Sequence, residues 1–180
     1  MEFFNTIFFL TLACFGIGAI GSLLFLNNDK AANWWSHSWA AAGSAFGILL
    51  GASLLQANQT FTFSMDTSFV MLIKLVKIDS LSALFVLLIS TLALVCSIYG
   101  LGYMDKFYKK YCLGSFGFFY NIFLASLLGV VTAYHGFYFL IVWEIMSLAS
   151  YFLVIFEHHD EENVRSGTLF ILRSRICLNT

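Results

Sequence analysis

The amino-acid sequence predicts an all-α integral membrane protein, a helical bundle of about five transmembrane helices plus the start of a sixth. Of its 180 residues, 60% are hydrophobic and only 11% are charged, and the mean hydropathy is +0.85. Soluble domains are about 45–50% apolar and about 25% charged. The apolar residues also fall into long uncharged runs, close to the roughly 20 residues that a helix needs to cross the hydrocarbon core. Lipid is therefore expected to be the main solvent of this chain.

Five apolar runs predict five spans that together form one membrane domain over residues 1–180. In chain order they are residues 3–26, 39–55, 80–104, 116–134 and 137–156, with a further apolar run starting at residue 167. The first run follows Glu2 and lacks the positive charge that precedes the core of a secretory signal. We therefore interpret the first run as a membrane anchor that is retained.

Two short features predict how neighbouring helices pack. Gly43, Gly47 and Gly51 recur every four residues in the second span and so share one helix face, where another helix can approach closely. Only His135 and Gly136 separate the fourth and fifth spans. Because this link is so short, the fourth and fifth helices are predicted to be antiparallel neighbours.

The segment between the second and third spans predicts a short hairpin. Phe61, Phe63 and Met65 alternate with polar residues, and residues 66–68 (Asp-Thr-Ser) then favour a turn before another apolar run. An open pair of strands cannot satisfy its backbone edges in lipid. The hairpin is therefore predicted to lie outside the membrane.

The distribution of basic residues predicts the orientation. Loops on the amino-terminal side hold Lys74 and Lys77, whereas the opposite loops hold Lys30, Lys106, Lys109, Lys110 and Arg165. Cytoplasmic loops are the ones enriched in lysine and arginine. The amino terminus and the hairpin are therefore predicted to lie outside.

One carboxylate falls inside a predicted span. Glu144 is seven residues into the fifth span, whereas the other nine acidic residues lie at span ends or in loops. A charge at the centre of a span costs about 3 kcal/mol on insertion scales, and such residues usually serve ion or proton pathways. Burial favours the neutral acid, as a proton relay requires. Ser147 and Tyr151 share the helix face of Glu144, and His135 is a candidate for passing protons toward this carboxylate. The alternative is that Glu144 is a structural residue that locks helix packing.

Other functional classes find little support. A net charge of −1 argues against nucleic-acid binding. The four cysteines include no C-x-x-C motif, which argues against a zinc or iron–sulfur site. A membrane haem would need histidine ligands in the middle of a span, and none of the four histidines, His37 included, lies there. His37 is expected at the interface, and residues 157–162 (Glu-His-His-Asp-Glu-Glu) are expected to be a polar loop and not a metal site. No cofactor is predicted, although a quinone site stays open.

Two motifs carry a resemblance. Residues 143–154 read WEIMSLASYFLV and residues 78–85 read IDSLSALF. Both resemble segments of the proton-translocating, antiporter-like membrane subunits of complex I and its relatives. The Phe156-Glu157-His158 sequence is most similar to the hydrogenase-4 component B and formate hydrogenlyase subunit 3 branch.

This resemblance implies a proton-translocating subunit without redox centres of its own. Its implied partners are other membrane-arm subunits and a peripheral redox arm, in the inner membrane. The glutamate of the family's fifth helix corresponds to Glu144, and it is implied to interact with a lysine on a later helix. This sequence has no lysine in mid-span, and Arg173 and Arg175 interrupt the sixth apolar run. We therefore expect a truncated amino-terminal fragment. The alternatives are a subunit of a multisubunit Na⁺/H⁺ or K⁺/H⁺ antiporter and a non-transporting remnant or scaffold.

Overall fold

The computed structural model describes residues 2–26, 28–57, 61–63, 76–108 and 112–157, and five long helices dominate this part of the chain. They are α1 (Glu2–Leu24), α2 (Asp29–Ala57), α3 (Ser80–Tyr103), α4 (Leu113–Thr132) and α5 (Gly136–Val154). Short 3₁₀ turns, Met104–Phe107 and Ile155–Glu157, extend α3 and α5. All five helices are long and apolar enough to cross a membrane. The predicted fold, a multi-pass helical bundle, is confirmed, while the predicted sixth span lies outside the described residues.

The segment between α2 and α3 contributes two short antiparallel strands, β1 (Phe61–Phe63) and β2 (Val76–Ile78), with Phe61 opposite Ile78. An antiparallel strand pair is therefore present, but its second strand begins at Val76 and not directly after residues 66–68; Met65 and the predicted turn lie outside the described residues. Val76 also forms a backbone bridge with Ala133, between α4 and α5. β2 thus connects the α2–α3 segment to the α4–α5 junction at one end of the bundle.

Helix α2 is central because it packs against α1, α3 and α4, and its glycines allow the close approach that the sequence predicts. A Cβ atom at Gly43 would press against Phe15 of α1, and one at Gly47 would meet Ser90 of α3. At Gly51 it would lie 3.0 Å from the Ala83 carbonyl oxygen of α3. The glycine face therefore accommodates two neighbouring helices, α1 and α3.

Helix α2 begins at Asp29, ten residues before the predicted span that starts at residue 39. Trp34, Trp35 and polar residues lower the hydropathy of this first part, so an apolar window misses it. The consequence is that His37 lies well inside a helix. The sequence placed His37 at the start of the second helix, but it lies eight residues inside α2 and its side chain is only 2% exposed within the bundle; its depth relative to the membrane interface stays a prediction.

Candidate functional site

Glu144 lies near the middle of α5, which places it deep in the helix as the sequence predicts. It follows the first helical residue, Gly136, by eight positions, or about 12 Å along the axis at 1.5 Å per residue. The side chain is exposed. Neither a hydrogen bond nor an ion pair joins it to any other residue that the structure describes.

The exposure of Glu144 follows from how α5 packs. Val142 and Ala149 are the buried residues of α5, and Val142 lies against Gly129 of α4. At 3.6 residues per turn, Glu144 is about 160° from Val142 and about 140° from Ala149 around the helix axis. The carboxylate therefore points away from α4, on the open side of the least buried of the five helices.

The predicted polar neighbours of Glu144 lie on the same side of α5 but make few polar contacts. Ser147 and Tyr151 are both half-buried, and the Tyr151 ring packs edge-on against Phe152, with 5.4 Å between ring centroids. The Ser150 hydroxyl donates to the Ser147 carbonyl oxygen at 2.8 Å, which satisfies it within the helix. The structure thus gives a shared polar stripe without a hydrogen-bonded chain along it.

His135 has a local structural role at the start of α5. Its Nδ1 accepts a hydrogen bond from the Phe137 N–H at 3.3 Å, so the imidazole caps the helix. Its nine-residue separation from Glu144 corresponds to about 13 Å along the helix axis. That distance is far beyond the reach of a direct hydrogen bond. The structure does not bring these two predicted site residues together.

A second polar group of residues lies inside the bundle, where α2, α3 and α4 meet. We call it the polar cluster: Asn33, Ser36, His37, Ser97, Tyr108, Tyr120 and Asn121. His37 Nδ1 is 3.0 Å from the Asn33 carbonyl oxygen and 3.1 Å from the Ser36 hydroxyl oxygen. The imidazole stacks on Tyr120 with 5.2 Å between ring centroids. The sequence reasoning did not find this cluster.

Hydrogen bonds connect the polar cluster across the three helices. The Asn33 Nδ2 donates to the Leu101 carbonyl oxygen and to the Tyr108 hydroxyl, both at 3.1 Å. The Asn121 Nδ2 donates to the Ser36 carbonyl oxygen at 3.3 Å. The Tyr120 and Ser97 hydroxyls are 2.9 Å apart. These bonds satisfy polar groups that would each cost several kcal/mol if left unpaired in hydrocarbon.

Asp79, in the second family-like motif, has a structural function at the start of α3. Its carboxylate accepts a hydrogen bond from the Ser82 N–H at 2.8 Å, which caps the helix. Hydrogen bonds from the Ser82 backbone and side chain hold the pKa of Asp79 below its ordinary value. Beside it, the Lys77 ammonium lies over the Tyr134 ring, 5.5 Å from the centroid.

The described residues do not form a metal centre. No three histidine, cysteine, aspartate or glutamate side chains in that part of the chain come close enough to hold an ion. His158, His159 and the acidic residues that follow them lie outside it. The polar loop predicted at residues 157–162 therefore stays a prediction.

Comparison with known proteins finds long similarities. The chain is 34% identical to hydrogenase-4 component B of Escherichia coli over 160 residues, which are 89% of this chain and 24% of that protein. It is 33% identical to NADH-quinone oxidoreductase subunit L of Mycobacterium tuberculosis over 174 residues, 87% of this chain and 26% of that protein. It is also 33% identical to a Na⁺/H⁺ antiporter subunit of Alkalihalophilus pseudofirmus over 88 residues, 49% of this chain and 11% of that protein. No protein-family profile matches the chain. The chain thus spans about a quarter of the length of hydrogenase-4 component B and of NADH-quinone oxidoreductase subunit L, which fits the predicted fragment.

Proposed function

The chain belongs to the complex I and Mrp antiporter-like family, and on this basis we propose that it is part of a subunit that conducts protons in the membrane arm of a larger complex. The complex would be of the hydrogenase-4, formate hydrogenlyase or complex I type. The similarity to hydrogenase-4 component B covers 89% of the chain, including Glu144 and the helix that carries it. Because the chain spans only a quarter of that relative, the proposal concerns the whole subunit to which these residues correspond.

The position of Glu144 is the observation that carries the proposal. A charged side chain at the centre of a helix costs about 3 kcal/mol to place in lipid. The described residues offer Glu144 no partner, and it faces away from α4. We infer that another polypeptide segment covers this face of α5 and presents a cation or a hydrogen-bond donor. The family resemblance implies a lysine on a later helix in this place.

A cationic partner of this kind would control the proton on Glu144. A nearby positive charge favours the ionised carboxylate and lowers its pKa, whereas withdrawal of that charge favours the protonated acid. Movement of the cation would therefore bind and release one proton. Ser147 and Tyr151 would hydrogen-bond the carboxylate or water beside it from the same face, and His135 would exchange protons at the end of α5.

The test is a Glu144→Gln substitution in the assembled membrane complex. Glutamine keeps the size and hydrogen-bonding capacity of the side chain but cannot carry the proton, so coupled proton flux should be lost while assembly stays normal. Glu157→Gln makes the same chemical change where α5 ends in its 3₁₀ turn, and it should keep the flux. Flux would be followed with a pH-sensitive dye in inverted vesicles, and assembly by native gel electrophoresis.

Either of two results would contradict the proposal. If Glu144→Gln assembles normally and keeps full flux, Glu144 carries no transported proton, and a non-transporting scaffold or remnant is favoured. If Glu157→Gln loses as much flux as Glu144→Gln, the effect is not specific to the middle of α5.

A second candidate function is a subunit of a Na⁺/H⁺ or K⁺/H⁺ antiporter. The similarity to the Na⁺/H⁺ antiporter subunit of Alkalihalophilus pseudofirmus favours it, although over only 88 residues. An antiporter would collapse an imposed pH gradient on addition of Na⁺ or K⁺ without any electron donor. A redox-coupled pump would instead build a gradient only when its donor is oxidised, which separates the two functions in one vesicle assay.

The proposed subunit would lie in the inner membrane, next to other membrane-arm subunits and a peripheral redox arm. Basic residues predict its amino terminus and the β1–β2 pair on the outside. A cysteine introduced between β1 and β2 in a chain without its own four cysteines tests this. It should react with a membrane-impermeant thiol reagent in intact cells, and protection until lysis would reverse the orientation.

A further inference from the structure

The polar cluster contains a histidine that the proton pathway around Glu144 does not use. Its centre, His37, is held on three sides. Its Nδ1 lies 3.0 Å from the Asn33 carbonyl oxygen, its ring contacts the adjacent rings of Tyr120 and Phe116 of α4, and its Nε2 faces Gly100 of α3. A buried ionisable residue in a membrane segment usually faces the bundle interior and serves an ion or proton pathway. From this geometry we propose that His37 is a second proton-binding site of the bundle.

The hydrogen bonds identify the atom that would take the proton. Nδ1 has two neighbours, the Asn33 carbonyl oxygen, which can only accept, and the Ser36 hydroxyl, which can donate or accept. We assign the hydrogen to Nδ1 from the shorter contact with the Asn33 oxygen, which leaves the free electron pair of neutral His37 on Nε2. Gly100 makes room for this nitrogen, because a Cβ atom at position 100 would collide with it. Protonation at Nε2 would give a cation inside the interface between α2 and α3.

The surroundings can accept such a cation. The Oδ1 atoms of Asn33 and Asn121 are buried and accept no hydrogen bond from the described residues. Both residues belong to the polar cluster and are at most 1% exposed. The Asn33 oxygen, one helical turn before His37, carries a partial negative charge and can accept a bond from an imidazolium or from water that solvates it, whereas the Asn121 oxygen lies against Gly18 of α1. The stacked Tyr120 ring adds a favourable face for a positive charge.

The titratable groups nearest His37 in the described residues are tyrosines, and the carboxylates of Asp29 and Asp105 lie beyond them, near Tyr108. Tyr120 faces His37 from α4, and Tyr108 is one hydrogen bond away through Asn33. Among the described residues, no charged side chain of α1 or α3 faces His37. Protonation of His37 would thus be decided by the polar cluster itself and not by an ion pair.

A polar route connects His37 to one end of the bundle. The Tyr108 hydroxyl, just beyond α3, is hydrogen-bonded to the Asn33 amide and to the exposed Asp105 carboxylate. Burial, together with the bond to Asp105, raises the pKa of Tyr108 above its ordinary value, so the phenol stays protonated near neutral pH. Asp105, Tyr108 and Asn33 therefore place polar groups between that end of the bundle and His37; an amide does not relay a proton, so the route requires water beside these groups to carry the proton to Nε2. This route enters from the end of the bundle opposite the α4–α5 junction.

The proposal rests on proton conduction as the function of the subunit, but its test does not depend on flux. The imidazole nitrogens would be observed by ¹⁵N NMR in the full chain, reconstituted in vesicles of phosphatidylethanolamine and phosphatidylglycerol. A variant with His135, His158 and His159 changed to glutamine leaves His37 as its single histidine. We expect the Nδ1–H tautomer at high pH and reversible double protonation between about pH 5 and pH 8, the range in which histidines titrate. A spectrum that stays neutral throughout this range would overturn the proposal.

The route is tested by rates in the same single-histidine chain. Tyr108→Phe removes the hydroxyl that links Asp105 to Asn33 and should slow proton exchange at His37 by about tenfold. Tyr103→Phe is the matched control, because Tyr103 stacks on Tyr99 outside the polar cluster, and it should leave the rate unchanged. Equal rates in the two variants would overturn the route.

Glu144→Gln separates this proposal from the proposed function. It should leave the His37 titration as it is, because α5 contributes no residue to the polar cluster and packs mainly against α4. If Glu144→Gln loses flux and His37 does not titrate, the proposed function is supported and the second proton-binding site is rejected. If His37 titrates and Glu144→Gln keeps its flux, the second site is supported and the proposed function is rejected.

Discussion

Replacing Gly51 by alanine tests how closely α2 and α3 approach. A Cβ atom at Gly51 would lie 3.0 Å from the Ala83 carbonyl oxygen and 3.0 Å from both the Cβ and the backbone nitrogen of Leu87. Two of these three neighbours are backbone atoms of α3, which cannot rotate away as a side chain can. The two helices must therefore separate to admit the methyl group.

The size of the effect follows from two opposing terms. Overpacking a well-packed interface by one methyl group costs about 1–3 kcal/mol. Alanine is preferred over glycine inside a helix by about 0.5–1 kcal/mol. The free energy of unfolding of Gly51→Ala should therefore fall by about 1.3 kcal/mol at the middle of both ranges, and by at most about 2.5 kcal/mol.

Two other glycines supply matched controls. Gly47 faces Ser90; the Ser90 hydroxyl can turn aside, but the Ser90 Cβ atom, 3.0 Å from the new methyl group, cannot, so Gly47→Ala should lose less stability than Gly51→Ala but still lose some. Gly16 in α1 has nothing within 4 Å of its Cβ position, so Gly16→Ala should gain about 0.5–1 kcal/mol from helix propensity alone.

The assay is reversible unfolding in mixed micelles with increasing sodium dodecyl sulfate, followed by far-ultraviolet circular dichroism. The expected order of stability is Gly16→Ala, then Gly47→Ala, then Gly51→Ala. If Gly51→Ala is as stable as Gly16→Ala, the close contact between α2 and the backbone of α3 does not exist, and the reasoning is refuted.

Two further predictions concern polar contacts at the helix ends. Asp79→Ala should lower the free energy of unfolding by about 0.5–2 kcal/mol at neutral pH, because it removes the α3 cap. The folded-state pKa of Asp79 is below its ordinary value, so the cap's contribution is present above about pH 4 and lost as the pH falls through the lowered pKa. The difference in free energy of unfolding between the wild type and Asp79→Ala should therefore disappear at acid pH. A difference that stays constant with pH would count against an ionised Asp79 cap. Ser22→Ala should cost about 1 kcal/mol, since it deletes the buried 2.7 Å hydrogen bond from α1 to the Gly114 carbonyl oxygen of α4. Thr91→Ala is the control, because it removes only an exposed hydrogen bond within α3, and its stability should be close to that of the wild type. The Ser22 and Thr91 variants are measured by the same unfolding assay. If they lose the same free energy of unfolding, the hydrogen bond between α1 and α4 contributes nothing.

The sequence pattern predicted the five helices well because hydropathy and length nearly determine a membrane span. Glu144 was found for the same reason, as a charge inside an apolar run stands out. Its surroundings were not predictable, because which face of α5 meets α4 depends on the contact of Val142 with Gly129, two residues from different helices. Nor could the sequence show that His135 uses its ring to cap α5.

The polar cluster was missed because hydropathy averages over faces. Asn33 and His37 lie among tryptophans and alanines, and the window that covers them is too polar to suggest a span. One signal was available: Asn33, His37 and Ser44 recur at spacings of four and seven, which put all three on one face of a helix. All three are buried. A search for polar faces, and not only for apolar runs, would have indicated an interior site.

The contact between His37 and Gly100 has a consequence for how these positions change together in evolution. The imidazole fills space that any side chain at position 100 would need, so the two positions are mutually exclusive for large residues. In relatives that carry serine, alanine or a larger residue at the position of Gly100, we expect a residue smaller than histidine at the position of His37. An alignment of many relatives would therefore show these two columns, 63 positions apart in this chain, varying as a pair.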